Sequence, residues 1–377
     1  MNHRRAWAVA RKEFLHVLRD PRSLAMAIAI PMLLLMLYGY ALTLDVDNVP
    51  TVVWDESQTP ASRDFISQFG GSRYFSIVGY EWNYAALERQ IDSGGALVAL
   101  VVPRDFADNI RSGRPASVQM LVDGSDSNTA TLAVNYADAV TRAYSQNLQL
   151  EDLQRLGGPA LRSPLDFRPR VWFNSELESR NYIIPGLIAV IMMVIAALLT
   201  SLTVAREWER GTMEQLISTP VTGRELILGK LLPYLVIGLV DVLMAMLLGE
   251  FLFRVPLRGS ALLVLLSAGI FLVGTMALGI LISVVAKNQL MANQMAMVLT
   301  FVPSFLLSGF IFPIANMPAV IQAITYLVPA RYFIALLKAL YLKGVGISVL
   351  AGEGFLLVVF AASMLLLAVG LFKKKLV

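Results

Sequence analysis

Residues 182–204 read YIIPGLIAVIMMVIAALLTSLTV, and residues 206–220, one position further on, read REWERGTMEQLISTP. The first run carries no charge and has the length of a membrane-spanning helix, which needs about 20 mostly apolar residues. The second is dense in charge and ends at a proline. An apolar helix that runs into such a segment is leaving the bilayer, and this reading sets the fold class. Five further segments match the apolar requirement: 23–43, 230–252, 260–286, 291–314 and 354–372. The composition agrees. The chain is 56% hydrophobic and 15% charged, with a mean hydropathy of +0.64, against about 25% charged residues in soluble domains.

The basic flanks set the orientation. Arg4, Arg5, Arg11, Lys12, Arg19 and Arg22 precede the first span; Arg206, Arg210, Arg224 and Lys230 lie between the second and third. Lys287 lies between the fourth and fifth, and Lys373, Lys374 and Lys375 end the chain. Six spans place all of these on one side, the cytoplasmic one by the positive-inside rule, so both termini are expected in the cytoplasm and residues 44–180 outside. Gly39-Tyr40-Ala41 has a trace of a signal-peptidase site, but the apolar stretch is too long for a signal and a basic amphipathic segment precedes it. Residues 1–22 read as that segment, an elbow helix at the cytoplasmic interface. Trp7, Ala10, Phe14, Val17 and Leu18 share one face and Arg5, Lys12, His16 and Arg19 another. Pro21 turns the chain into the first span, 23–43.

Residues 44–180 are long enough for a domain with its own core. Strands are expected at 50–54, 74–80, 96–102 and 118–122, and helices at 60–70, 82–92 and 129–156, the last stopped by Gly157-Gly158-Pro159. The alternation indicates a small α/β domain. Asp123-Gly124-Ser125-Asp126-Ser127-Asn128 lacks the EF-hand spacing and reads as a turn with a helix N-cap. The chain contains no cysteine, and its histidines are His3 and His16. Disulfides and thiolate zinc sites are excluded, and a histidine triad or histidine-rich metal centre is unavailable beyond the N-terminus.

Segment 206–220 carries the functional signal. Thr212 and Gln215 have the spacing of a capping box, Glu214 sits in the first turn where the helix dipole favours an acid, and Pro220 stops the helix. Thr222 and Glu225 start a second helix in the same way. The physics predicts a short, doubly bounded helix at the cytoplasmic surface, suited to docking a soluble partner. A phosphate-binding P-loop is absent. The nearest run, 223–230, has one residue too many between its glycines, and Leu231 follows Lys230 where a hydroxyl is needed.

The stretch 206–230 resembles the loop after the second span of ABC-2-type permeases, matched by Glu207, Gly211, Thr212, Glu214, Leu216, Pro220, Gly229 and Lys230. A second match runs Leu307-Ser308-Gly309-Phe310-Ile311-Phe312-Pro313, then Met317-Pro318 and Pro329-Ala330-Arg331-Tyr332-Phe333, as in the drug-export subgroup. A third is Val122-Asp123-Gly124-Ser125-Asp126-Ser127-Asn128 in the outer domain. The resemblance covers essentially the whole chain. It implies that 206–220 is a coupling helix seated on an ATPase subunit, with Glu207, Gly211, Thr212, Glu214, Leu216 and Pro220 as the coupling residues. It implies ATP and magnesium on that partner and none on this chain. It further implies an ATPase dimer, a second permease copy or paralogue, membrane lipids and a candidate periplasmic adaptor as partners, and no nucleic acid. Residues 316–350 would be short helices re-entering the outer leaflet, within a helical unit 181–377.

Inside the membrane, Asp241 falls near the middle of the third span, where an acid costs about 2.5–3.5 kcal/mol on insertion scales. It marks either a pathway or an interhelical hydrogen bond. Asn293 and Gln294 open the fifth span, and Ser308 and Gly309 break its far end; with Asp241 they form the candidate substrate pathway. Gly269, Gly274 and Gly279 allow close packing in the fourth span. The expected function is the membrane-spanning half of an exporter in the bacterial cytoplasmic membrane, moving drug-like, amphiphilic or lipidic cargo outward. The alternatives are an ion-coupled secondary transporter using Asp241 and a membrane-anchored binding or scaffold protein. The absence of an inverted repeat disfavours the first and the number of spans the second.

Overall fold

The computed structural model describes residues 2–19, 21–42, 47–155, 172–174 and 178–372. The terminal lysines 373–375, the helix stop at 157–159 and the side chains of His16 and Arg22 lie outside that description. The chain divides into two units, Leu44–Pro169 and a helical unit made of Met1–Thr43 with Arg170–Val377.

The helical unit begins with α1 (His3–Arg19) and α2 (Pro21–Ala41). In α1 the buried face is Ala10, Glu13 and Val17, whereas Trp7, Phe14 and Leu18 are exposed. The large apolar side chains are therefore not what α1 packs inward; small ones are, for a reason given by the helix that faces it.

In the second unit, β1 (Val49–Asp55), α3 (Pro60–Gly70), β2 (Phe75–Tyr80), α4 (Tyr84–Asp92), β3 (Val98–Val102), α5 (Phe106–Arg111), β4 (Gln119–Val122) and α6 (Ser127–Arg155) follow in order. The sheet runs β2-β1-β3-β4; β1 is parallel to β2 and β3, and β4 is antiparallel to β3. Strand β3 is buried at every residue, as an inner strand covered on both faces must be. Helix α3 opens with a capping box of Thr59 and Ser62 and Pro60 in its first turn. The core beneath the helices is aromatic, with Phe65 within 5.5 Å, centroid to centroid, of Phe69, Phe106 and Tyr144. Asp123 accepts from the Ser125 amide at 2.9 Å and Asp126 from the Asn128 amide at 3.0 Å, so this acidic run is turn and N-cap chemistry. Among the described residues no group of three or more His, Asp or Glu side chains is placed to hold a metal.

The helical unit resumes with α7 (Ser179–Glu209), α8 (Thr212–Ser218), α9 (Gly223–Phe251), α10 (Ala261–Ala286), α11 (Gln289–Leu306), α12 (Ala319–Thr325), α13 (Pro329–Lys338) and α14 (Ile347–Leu371). Among the described residues four helices are long and apolar enough to cross a membrane: α7, α9, α10 and α14; the pair made by α12 and the extended α13, bent by 82°, would make a fifth. The expected fifth span, 291–314, is helical only to Leu306, because Gly309 takes a left-handed φ of 79° and Pro313 follows. Helix α7 is central, with 78% of its most apolar window buried against 17% for α14. Close approach depends on glycine: a side chain at Gly274 would meet the Ala361 backbone of α14 at 3.0 Å, while Gly269 has only Leu239 at 4.0 Å.

Candidate functional site

The end of α7 is the meeting point of the charged ends of this unit, and the sequence Arg206-Glu207-Trp208-Glu209 assigns each side chain its own neighbour. Arg206 Nε donates to Gln289 Oε1 at 3.4 Å. The Lys287 ammonium lies 5.1 Å from the centre of the Trp208 indole. Glu209 accepts from the Gln289 amide at 2.8 Å and from its side chain. Those three contacts hold the turn between α10 and α11. Glu207 points the other way. It accepts from Lys12 Nζ of α1 at 3.0 Å, lies 3.5 Å from Lys230 Nζ of α9, and takes a hydrogen bond from the Thr212 hydroxyl at the start of α8. One side chain thus touches α1, α8 and α9.

Lys230 is the centre of this group. Its side chain is 2% exposed, pairs with Glu13 at 2.9 Å and donates to the Thr203 carbonyl at 3.2 Å. Two lysines and two glutamates, Lys12, Glu13, Glu207 and Lys230, surround a cavity of about 220 Å³ that Thr203, Arg206, Arg210, Thr212 and Tyr234 also line. A buried ammonium needs such partners, since an unpaired one costs several kcal/mol. Burial works against the Lys12 ammonium, but the Glu207 and Glu13 carboxylates outweigh it and hold its proton more tightly than an ordinary lysine.

The residue before Lys230 explains the small buried face of α1. A Cβ on Gly229 would lie 2.7 Å from Val9 Cβ and 2.9 Å from the Ala6 carbonyl oxygen. Only glycine lets α1 approach α9 that closely. The N-terminal end of α1 is fixed to the same region: Asn2 N donates to Glu225 at 2.6 Å and Arg5 to the Pro220 carbonyl at 2.7 Å.

Helix α8 departs from its expected cap. Gly211, not Thr212, is the N-cap, with a left-handed φ of 67°, and no side-chain cap bond forms. The chain must reverse after α7, and Gly211 closes that helix by donating to the Trp208 carbonyl at 3.2 Å. Thr212 then falls inside α8, and its hydroxyl goes to Glu207 instead of capping. The second box forms as the sequence indicates: Glu225 N donates to Thr222 at 3.4 Å, and Thr222 N to Glu225 at 2.9 Å. Met213 is buried, Leu216 is half-buried, and Glu214, Gln215, Ser218 and Pro220 are exposed. A two-turn helix with a polar outer face is what this geometry presents.

Known proteins carry the same chain organisation. The family described as ABC-2 family transporter protein matches residues 21–369. The chain belongs to this family. It is 40% identical over 345 residues to the probable multidrug ABC transporter permease YbhS of Escherichia coli, covering 91% of this chain and 90% of that one. It is 29% identical over 374 residues to the probable multidrug ABC transporter permease YbhR of the same organism, covering 98% and 99%. A Dictyostelium discoideum protein, ABC transporter G family member 20, is 24% identical over 345 residues, which is 90% of this chain and 46% of the relative. This ABC-2 permease is therefore a multi-pass membrane transport protein.

The candidate pathway residues of the permease do not converge on a described cavity. Asp241 is 1% exposed, and its Oδ1 has no hydrogen-bond partner. Asn293 and Gln294 are on the exposed side of α11. Ser308 is buried and donates to the Ser304 carbonyl, and Gly309 supplies the bend after α11. At that bend the Gly309 carbonyl accepts from Tyr182 at 3.2 Å and from Lys338 at 3.4 Å, with the Lys338 ammonium 3.4 Å from the Tyr182 ring centre. Glu13, which sequence reading passed over, and Lys12, which it placed on the basic face toward the headgroups, belong to the charge cluster. Glu13 was detectable as the one acid on the face that carries Ala10 and Val17, at helical spacing.

Proposed function

We propose that this chain is the membrane-spanning subunit of an ATP-driven exporter whose ATPase is a separate polypeptide present as two copies. It crosses the bacterial cytoplasmic membrane six times, counting α2 and α11, with both termini in the cytoplasm and residues 44–180 outside. Helix α1 is the interfacial elbow, its exposed Trp7, Phe14 and Leu18 facing the headgroup region. The bent pair α12 and α13 re-enters the outer leaflet. Two permease copies, identical or paralogous, line one pathway for drug-like, amphiphilic or lipidic cargo, and the outer unit contacts cargo or a periplasmic adaptor.

The observation that carries this reading is the Glu207 junction. The exposed face of α8, with Glu214 at its first turn, is the surface an ATPase would push. Glu207 joins that helix directly to α1 and α9, so a displacement of α8 reaches the membrane helices without a flexible link. Family membership and the names of the Escherichia coli relatives support the class of cargo.

The test is dye transport in inverted vesicles holding the permease and a co-expressed ABC ATPase that assembles with it. ATP-driven uptake that vanadate abolishes and an ionophore leaves intact supports the exporter. Uptake that collapses with the ion gradient and ignores vanadate supports ion-coupled transport through Asp241, whose unpartnered Oδ1 is the one observation in its favour.

A further inference from the structure

The bend between α12 and α13 opens a cavity that the exporter reading does not use. Its volume is about 540 Å³, and its walls are apolar: Met193 of α7, Pro303 of α11, Tyr326 and Tyr332 at the bend, and Leu356 and Phe360 of α14. That volume lies within the range of small-molecule pockets, about 300–1,000 Å³. Walls of this kind offer water few hydrogen-bonding groups. Around a helical unit of this apolarity the abundant apolar solute is the hydrocarbon chain of a lipid.

One charge sits at the rim. Arg331 stacks on Tyr326, with its guanidinium carbon 3.8 Å from the ring centre, and Tyr326 is itself part of the cavity wall. The guanidinium donates through Nη1 to the Gln322 carbonyl at 3.4 Å and to the Thr325 hydroxyl. Among the described residues no carboxylate pairs with it. A guanidinium has five N–H donors in a planar fork that matches a phosphate. Two of its acceptors are fixed by α12, which orients the fork; donors on the other nitrogens are left for a ligand. Tyr332 steadies the same turn by donating to the Tyr326 carbonyl at 2.7 Å.

We infer that this cavity is a specific site for an anionic phospholipid, taking one acyl chain between α7, α11 and α14 and the phosphate on Arg331, a cation that repels the trimethylammonium of a zwitterionic choline headgroup. The site requires only that these helices lie in a bilayer, so it stands or falls separately from the exporter reading. Its consequence is that a bound lipid props the bend between α12 and α13, joining that bend to the central helix through Met193.

The test uses the full chain in nanodiscs containing phosphatidylglycerol with a diazirine on the acyl chain, and in a parallel set phosphatidylcholine with the same chain. After photolysis the labelled residues are mapped by peptide mass spectrometry, with Leu262 and Leu266, exposed on α10, as the reference for ordinary lipid contact. Labelling is expected to concentrate on 324–332 and 356–364 and to favour phosphatidylglycerol. Leu356→Trp fills the cavity and lowers labelling there by about tenfold, leaving the α10 reference unchanged. If Leu356→Trp fails to assemble, Val359→Trp fills the same wall. Arg331→Gln removes the headgroup preference and retains labelling by phosphatidylcholine. Labelling spread evenly over the lipid-facing helices, labelling unchanged by both tryptophan variants, or equal labelling by the two headgroups in the parent protein would overturn the assignment.

Discussion

Lys230 Nζ and Glu13 Oε1 lie 2.9 Å apart, and the two residues are separated by 217 positions in sequence. Their side chains are 2% and 6% exposed. This buried ion pair is the bolt between the amphipathic helix that opens the chain and the helix that follows the α8 segment. Its strength should appear as a coupling. Lys230→Met leaves the buried Glu13 carboxylate with only the exposed Lys12 ammonium, at 3.5 Å, and breaking a buried pair costs up to about 3–5 kcal/mol. In thermal unfolding of the detergent-solubilised protein that variant melts well below the parent. Adding Glu13→Gln restores part of the loss, because the uncompensated charge is gone. Equal melting of Lys230→Met and the parent would show that the pair holds nothing.

The approach of α1 to α9 gives a second expectation. Gly229→Leu drives a branched side chain into Val9 and the Ala6 carbonyl. Overpacking of this kind costs about 1–3 kcal/mol, which loosens the seat of α1 on α9 and raises the fraction of molecules in which α1 is open. Trypsin should then cut at Arg11 and Lys12 in the variant at concentrations that leave the parent intact. Resistance equal to the parent would mean that α1 is held by something other than this contact.

How much of this was legible in the sequence follows from the range of each signal. The Thr222–Glu225 box is four consecutive residues, and it forms as written. The Thr212–Gln215 box has the same spacing and does not form, because Gly211 must take a left-handed conformation to end α7 and displaces the cap by one residue. The apolar runs gave the helices; the shortened α11 came from Gly309 and Pro313, whose effect on a span depends on what packs beside the break. The six residues of α5 are too few to show a helical period. Glu13 reads locally as one acid on a basic helix, and only tertiary contact with Lys230 distinguishes it from a solvated residue.

The outer unit supplies a pH dependence. Asp126 is held below the ordinary aspartate value by the Thr129 hydroxyl and the Asn128 amide. A lowered carboxyl contributes to stability above the unfolded value, near 3.8, and the contribution is lost as pH falls through the folded value. The first turn of α6 should therefore fray in acid before the sheet does. Hydrogen exchange at Asn128, Thr129 and Ala130 should speed up below about pH 4 relative to β3, and Asp126→Ala should exchange fast at neutral pH as well. Identical exchange in Asp126→Ala and the parent would remove the cap from the account.

Asp241 separates a pathway role from a structural one. Its Oδ1 has no partner to lose, so Asp241→Asn is expected to hold or raise the melting temperature. We expect the same variant to reduce efflux of cationic dyes and spare neutral ones. Unchanged efflux of every cation with normal expression would remove Asp241 from the pathway.

We propose that α8 receives the motion of an ATPase and Glu207 passes it on. The measurement is vanadate-sensitive ATP hydrolysis in liposomes containing the permease and a co-expressed ABC ATPase that assembles with it, with Glu214→Ala beside the parent. Glu214 is exposed and makes no contact within the cluster, so the variant should fold, melt and assemble like the parent. The parent is expected to stimulate hydrolysis, and Glu214→Ala, with assembly intact, to lose the stimulation. Intact assembly with hydrolysis indifferent to the permease, parent and variant alike, would contradict it.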